Sequence, residues 1–207
     1  MRTSFTRDEL EAARSRTVPD LLGSRTLLLF VGINPGLWTA ASGAHFAHPG
    51  NRFYPALARA GIVDRVLDVR AGYDPESVAA LTERGVGITN LVERTTARAD
   101  ELNATEFGAG VESLESKVAK CTPKVVAFVG IGAYRLAYGQ KSAKVGVQDH
   151  RIHGARVWAL PNPSGLNAHY SLERLADLYG QAARDAGIVH DPGIQDGVDS
   201  GERRAPA

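Results

Sequence analysis

The chain predicts an α/β fold, a three-layer sandwich with a mostly parallel central sheet. Three observations carry the prediction. "TLLLFVG" (26–32) and "KVVAFVG" (124–130) are uninterrupted apolar runs closed by glycine, as strands buried on both faces are. Segments with apolar residues three and four apart alternate with such runs. The 207 residues supply one sizeable core and little beyond it. The expected organisation is an N-terminal extension over 1–20, a single domain over 21–187 and a disordered tail over 188–207.

Taken in order, the first few residues read as loose and "DELEAARSR" as a short helix. The first strand follows, then helices over "NRFYPALARAG" and "PESVAALTERG" and a weaker strand at "VGIT" (86–89). Residues 103–120 predict a helix in which Asn103 and Glu106 form a cap and Phe107, Val111, Leu114 and Val118 one apolar stripe. After the second strong strand comes a weaker one at "RVWAL" (156–160). A last helix runs from Ser171 to about Ala186, with Leu172, Leu175, Leu178, Tyr179 and Ala182 on one face. The tail is rich in Gly, Pro and Asp and poor in large apolar groups.

Composition narrows the function classes. Hydrophobic residues make up 43% and charged residues 23%, the profile of a soluble globular protein. No apolar run approaches the roughly 20 residues of a membrane span, and the N-terminus lacks the apolar core of a secretory signal. The expected location is cytoplasmic, nucleoid-associated if the source is bacterial. One cysteine, Cys121, excludes an internal disulfide and a four-cysteine metal or iron–sulfur site. The net charge is +1, with −2 in the tail and +3 in the rest, so DNA binding requires a local basic patch. "VGIGAY" (129–134) is too short for a dinucleotide fingerprint, and Ser164 lies outside a G-x-S-x-G elbow.

Sites in parallel sheets gather beyond the carboxyl ends of the strands. Two segments leave strands there with unusual polar chemistry. In "GINPG" (32–36), glycines at 32 and 36 permit close approach or positive φ, and Pro35 biases Asn34 toward extended backbone. An ordinary Asn-Pro-Gly turn and the polar tip of a reactive pocket both fit. "NPSGLN" (162–167) is stiff at its base, and Leu166 either stands exposed at its tip or folds back onto the core.

"GINPGL", "FAHPGNRFY", "GITNLVERTT" and "LPNPSGL" together, from about Leu27 to Tyr179, resemble the mismatch-specific uracil-DNA glycosylase family, which includes thymine-DNA glycosylases. The resemblance implies a uracil-DNA glycosylase-like α/β fold, no cofactor and no metal. It implies hydrolysis of the N-glycosidic bond of uracil in double-stranded DNA, opposite guanine, by a monomer that extrudes the base into a pocket. It makes Asn34 the holder of the attacking water, where the most efficient uracil glycosylases carry aspartate. Asn162 takes the place of a histidine that stabilises the leaving oxygen. Glu93 takes an acidic position, either assisting the water or pairing with Arg94 or Arg98. Phe46 matches the aromatic that stacks on the flipped base; Ile33, Thr39 and Asn90 are its other candidate contacts. Gly165, Leu166 and Asn167 match the wedge that fills the gap left in the duplex. An arginine that follows the wedge leucine in some members is Ala168 here. Asn51 and Arg52 are candidates for phosphate contacts or for a structural role, and His48 reads as structural. A glycosylase for deaminated purines and a catalytically weak damaged-base-binding module are the alternatives.

Overall fold

A computed structural model of the chain describes residues 4–14 and 16–189. Five strands form one sheet in the order β2-β1-β3-β5-β4: β1 (Leu28–Gly32), β2 (Val86–Asn90), β3 (Val125–Val129), β4 (Gly146–Ile152) and β5 (Ala155–Leu160). The first four strands in this order are parallel, and β4 runs antiparallel to β5. The three-layer prediction holds. Leu28 and Phe30 of β1 point into one core, with Phe53, Leu57, Leu175 and Tyr179. Leu29 and Val31 point into the other, with Leu114, Val118 and Phe128. A strand whose every side chain meets a core has no polar face, which is why β1 and β3 read as unbroken apolar runs.

One helical layer contains α3 (Phe53–Arg59), α4 (Pro75–Thr82) and α7 (Leu172–Ala186); the other contains α5 (Ala104–Cys121) and α6 (Ile131–Tyr138). The cap on α5 forms as predicted. Asn103 Oδ1 accepts from the Glu106 N–H at 3.0 Å, and the Glu106 carboxylate accepts from the Asn103 N–H at 3.0 Å. Ser171 caps α7. β4, α2 (Leu37–Ser42) and α6 were not anticipated. β4 is an edge strand whose burial alternates, and an irregularity between Val147 and Arg151 breaks its pairing.

The segment ahead of residue 21 packs on the body. In α1 (Arg7–Ala12) Thr6 and Glu9 make a capping box, and Ala13, Val18 and Ala40 share a small apolar cluster. Leu21 exchanges two backbone hydrogen bonds with Ile88, at 2.9 and 2.8 Å, covering the free edge of β2. At the other end Ile188 and Val189 pack against the core. The rest of the expected tail, 190–207, and residues 1–3 lie outside the described residues. Among the described residues no helix is long and apolar enough to cross a membrane.

Candidate active site

All four parallel strands end at one side of the sheet, and a cavity of about 210 Å³ opens there. Ile33 and Asn34 follow β1, Asn90 ends β2, Val129 ends β3 and Asn162 follows β5; all five line it. Thr39 from α2, Phe46, His48 and Asn51 close one side, and Thr96 to Ala99 the other. The fold thus brings together Ile33, Asn34, Thr39, Phe46, Asn51, Asn90 and Asn162 from four distant segments.

Three asparagines present fixed and different atoms. Asn34 Nδ2 lies 2.8 Å from the Arg94 carbonyl and 2.7 Å from Thr96 Oγ1. The Thr96 hydroxyl donates its one proton to the Arg98 carbonyl at 2.8 Å, so it accepts from Asn34. A carbonyl accepts only, so the amide nitrogen must face this side, and Oδ1 has no donor among the described residues. Asn162 is held in the opposite sense. Its Oδ1 accepts from the Ser164 N–H at 2.9 Å, leaving Nδ2 as the free donor. The site therefore holds one free amide acceptor and one free amide donor on different strands.

Asn90 is set by a histidine. His45 is buried, and its Nε2 sits 3.0 Å from the Pro19 carbonyl, which fixes the proton on that nitrogen. Nδ1 is then an acceptor and takes the Asn90 Nδ2 donor at 3.2 Å. Burial lowers the His45 pKa below its ordinary value; the Pro19 carbonyl and Asp20 oppose the shift, and burial dominates. Neutral His45 thus turns Asn90 Oδ1 away from itself, over Gly32, its register neighbour on β1. A Cβ at residue 32 would lie 2.4 Å from that oxygen and 3.3 Å from the Phe46 ring, so glycine is required there for space. Gly36 needs neither space nor positive φ: it caps α2 at φ −80° in open surroundings.

Phe46 stacks on Phe53 with ring centroids 4.1 Å apart and 25° between planes. Its backbone has φ 55°, a left-handed conformation that is strained for an aromatic residue and requires support from its surroundings. Tyr54 supplies part of that support, donating to the His45 carbonyl at 2.9 Å. His48 Nδ1 accepts from the Gly50 N–H at 3.1 Å and its ring meets Trp38 edge-on, a structural arrangement.

Glu93 is a correction: it does not line this cavity. It faces the α5 side, 66% exposed, 3.4 Å from Lys117 Nζ, and borders a separate cavity with Glu106. The anticipated pairing with Arg94 or Arg98 is also absent, since Arg94 binds Glu106 at 2.5 Å and Arg98 pairs with Asp100. The reason is direction: residue 93 lies beyond the point where the β2 loop turns, and its side chain leaves on the helix face. Among the described residues no carboxylate lines the cavity.

The loop after β5 is built from hydrogen bonds around an exposed tip. Leu166 stands 97% exposed, so it does not fold back onto the core. Asn167 Nδ2 donates to the Asn162 carbonyl at 2.9 Å, its backbone N–H to Ser164, and Tyr179 Oη donates to Pro161 at 3.1 Å. Arg52 takes the structural one of its two expected roles. Its guanidinium faces backbone carbonyls of this same loop rather than standing free for phosphate. Asn51 Oδ1 caps the Phe53 N–H at 2.9 Å, while the residue also lines the cavity.

Three contributors were not anticipated: His45 as the support of Asn90, Thr96 as the anchor of Asn34, and Arg98 at the cavity wall. Thr96 closes the "ERTT" segment (93–96) and Arg98 lies two residues beyond it. Thr95 also donates its hydroxyl to Arg16, at 2.6 Å.

A parallel α/β sheet whose strand ends share one amide-lined cavity, with an aromatic wall and an exposed apolar loop tip, is the frame of the candidate site. The family model of the uracil DNA glycosylase superfamily matches residues 19–183. The chain belongs to that superfamily. Its fold is also similar to the solution structure of a candidate uracil DNA glycosylase from Methanosarcina acetivorans. The TM-score is 0.57 at 18% identity, over 85% of this chain and 99% of that one. Membership supports a glycosylase-type hydrolase function on DNA containing uracil.

Proposed function

We propose that the chain is a monofunctional DNA glycosylase of the mismatch-specific type, which hydrolyses the N-glycosidic bond of uracil extruded from double-stranded DNA. The observation that carries this reading is the opposed pair of fixed amides, Asn34 offering Oδ1 and Asn162 offering Nδ2, across one cavity beside Phe46. The flipped base lies on the Phe46 ring, where aromatic stacking is worth about 1–3 kcal/mol. Asn90 Oδ1 accepts from the N3–H of uracil; the lone pair on N3 of cytosine meets another lone pair there. The C1′–N1 bond breaks with its electron pair leaving on the base, and Asn162 Nδ2 donates to the exocyclic carbonyl oxygen of the base, which gains negative charge. Water held by Asn34 Oδ1 adds to the cationic sugar carbon and releases its proton to solvent. An amide cannot take up that proton and no carboxylate lines the cavity among the described residues, so on this reading the enzyme is slow and depends on a base that leaves readily.

The test offers labelled G:U, A:U and G:T duplexes, single-stranded uracil, ethenocytosine and hypoxanthine to the wild type and to Asn34→Ala. Uracil release, fastest from G:U, and its loss in Asn34→Ala are expected. Tight abasic-site binding with no release in any context would replace this reading with a damaged-base-binding module.

A further inference from the structure

Leu166 projects almost wholly into solvent from a loop that nonetheless has no slack, and one side chain from a distant segment explains this. Arg52 Nη1 donates to the Tyr170 carbonyl at 2.6 Å. Its Nη2 donates to the Ser164 and Asn167 carbonyls at 2.9 and 2.8 Å. These carbonyls lie before and after Leu166 and would otherwise converge without a counter-charge. The Arg52 N–H also donates to Pro163 at 3.0 Å, and Asn51 bridges Ser164. Gly165 is pressed so closely on Gly50 that a Cβ would sit 2.6 Å from its carbonyl oxygen. Arg52 Nε is buried without a partner, and no carboxylate pairs with the guanidinium among the described residues. A guanidinium has five N–H donors; here three are spent on the loop and the Nε donor is closed to solvent, leaving a single N–H. That geometry is wrong for a forked phosphate contact.

We propose that Arg52 is a positioning residue that clamps the 163–170 loop in its inserting shape before DNA arrives, so that Leu166 enters the gap left by an extruded base. This rests on the base-extruding reading above. Preorganisation removes the ordering cost from the moment of insertion. The same residue precedes α3 and follows the segment that carries Phe46, so the stacking wall and the wedge are tied into one unit.

The consequence is a substrate-dependent defect. Single-stranded uracil has no opposing stack to hold open, and a duplex with a pyrene nucleoside opposite uracil fills the gap by itself. Single-turnover uracil release is measured for wild type, Arg52→Ala and Arg52→Lys on single strand, G:U duplex and pyrene:U duplex. Release by Arg52→Ala is expected to fall about tenfold more on G:U than on single strand, with recovery opposite pyrene. Arg52→Lys, which cannot fork to three carbonyls, shows the same pattern in weaker form and carries the comparison if Arg52→Ala does not fold. Amide hydrogen exchange on the free proteins gives a readout independent of catalysis: the Asn167 N–H, bonded to the Ser164 carbonyl, exchanges faster in both variants. Equal losses on all three substrates, or no loss, overturn the proposal, as does unchanged exchange at Asn167. Wild type that releases uracil from none of the three defeats the glycosylase reading instead, while the exchange data still decide the clamp.

Discussion

Asn34 and Asn162 differ in what they offer because their partners differ. The Arg94 carbonyl and the Thr96 hydroxyl behind Asn34 turn its oxygen outward, and an N–H behind Asn162 turns its nitrogen outward. His45 does the same for Asn90 only while neutral, since a proton on Nδ1 would remove the acceptor. Its lowered pKa has a consequence for stability. Between the depressed folded value and the unfolded value near 6.5, the unfolded chain binds a proton that the folded chain refuses. Stability is therefore highest above 6.5 and declines as the pH falls from there through the folded value. Thermal melts across that window check this as the difference between wild type and His45→Gln, because burial also lowers the pKa of His150. A steeper acid loss in wild type is expected; identical slopes would assign the loss elsewhere.

The elements fixed by unbroken patterns were the legible ones. β1 and β3 are apolar on both faces, and α5 and α7 carry a cap and a stripe over 18 and 15 residues. β4 was missed because its alternation, in "GVQDHRI", places polar residues on a half-exposed edge and leaves too little apolar signal. α6 was missed because it begins "IG" directly after a glycine at φ 120°, a start without a side-chain cap. The α5 cap permits a direct test: Asn103→Ala lowers unfolding free energy by about 1 kcal/mol, measured by urea titration, with uracil release unchanged. Glu106, held down to about 2 by Arg94 and then by the Asn103 N–H, keeps its half of that cap until the pH falls through that value.

At the scale of the molecule, four parallel strand ends gather seven of the anticipated site residues around one cavity. Ile33, Asn34, Asn90 and Asn162 were legible because each sits in a motif at the end of a strand, and Thr39, Phe46 and Asn51 because they belong to the motifs that follow β1. The placements of Glu93 and Arg52 were not legible, for a common reason. Sequence spacing shows that a charged side chain belongs to a loop, but its direction depends on Lys117 in one case and on the carbonyls of residues 164, 167 and 170 in the other. His45 escaped because its partner carbonyl, Pro19, is distant in sequence. Among the described residues the cavity is lined by amides and by no carboxylate, and on the proposed reading release therefore depends on the leaving base. The most direct test is the single-turnover release rate of 5-fluorouracil against uracil opposite guanine, in wild type and Asn34→Ala. The account predicts faster release of 5-fluorouracil, whose anion is the better leaving group, and a loss of about 100-fold for both bases in Asn34→Ala with abasic-duplex binding retained. Equal wild-type rates for the two bases, or undiminished release by Asn34→Ala, would contradict it.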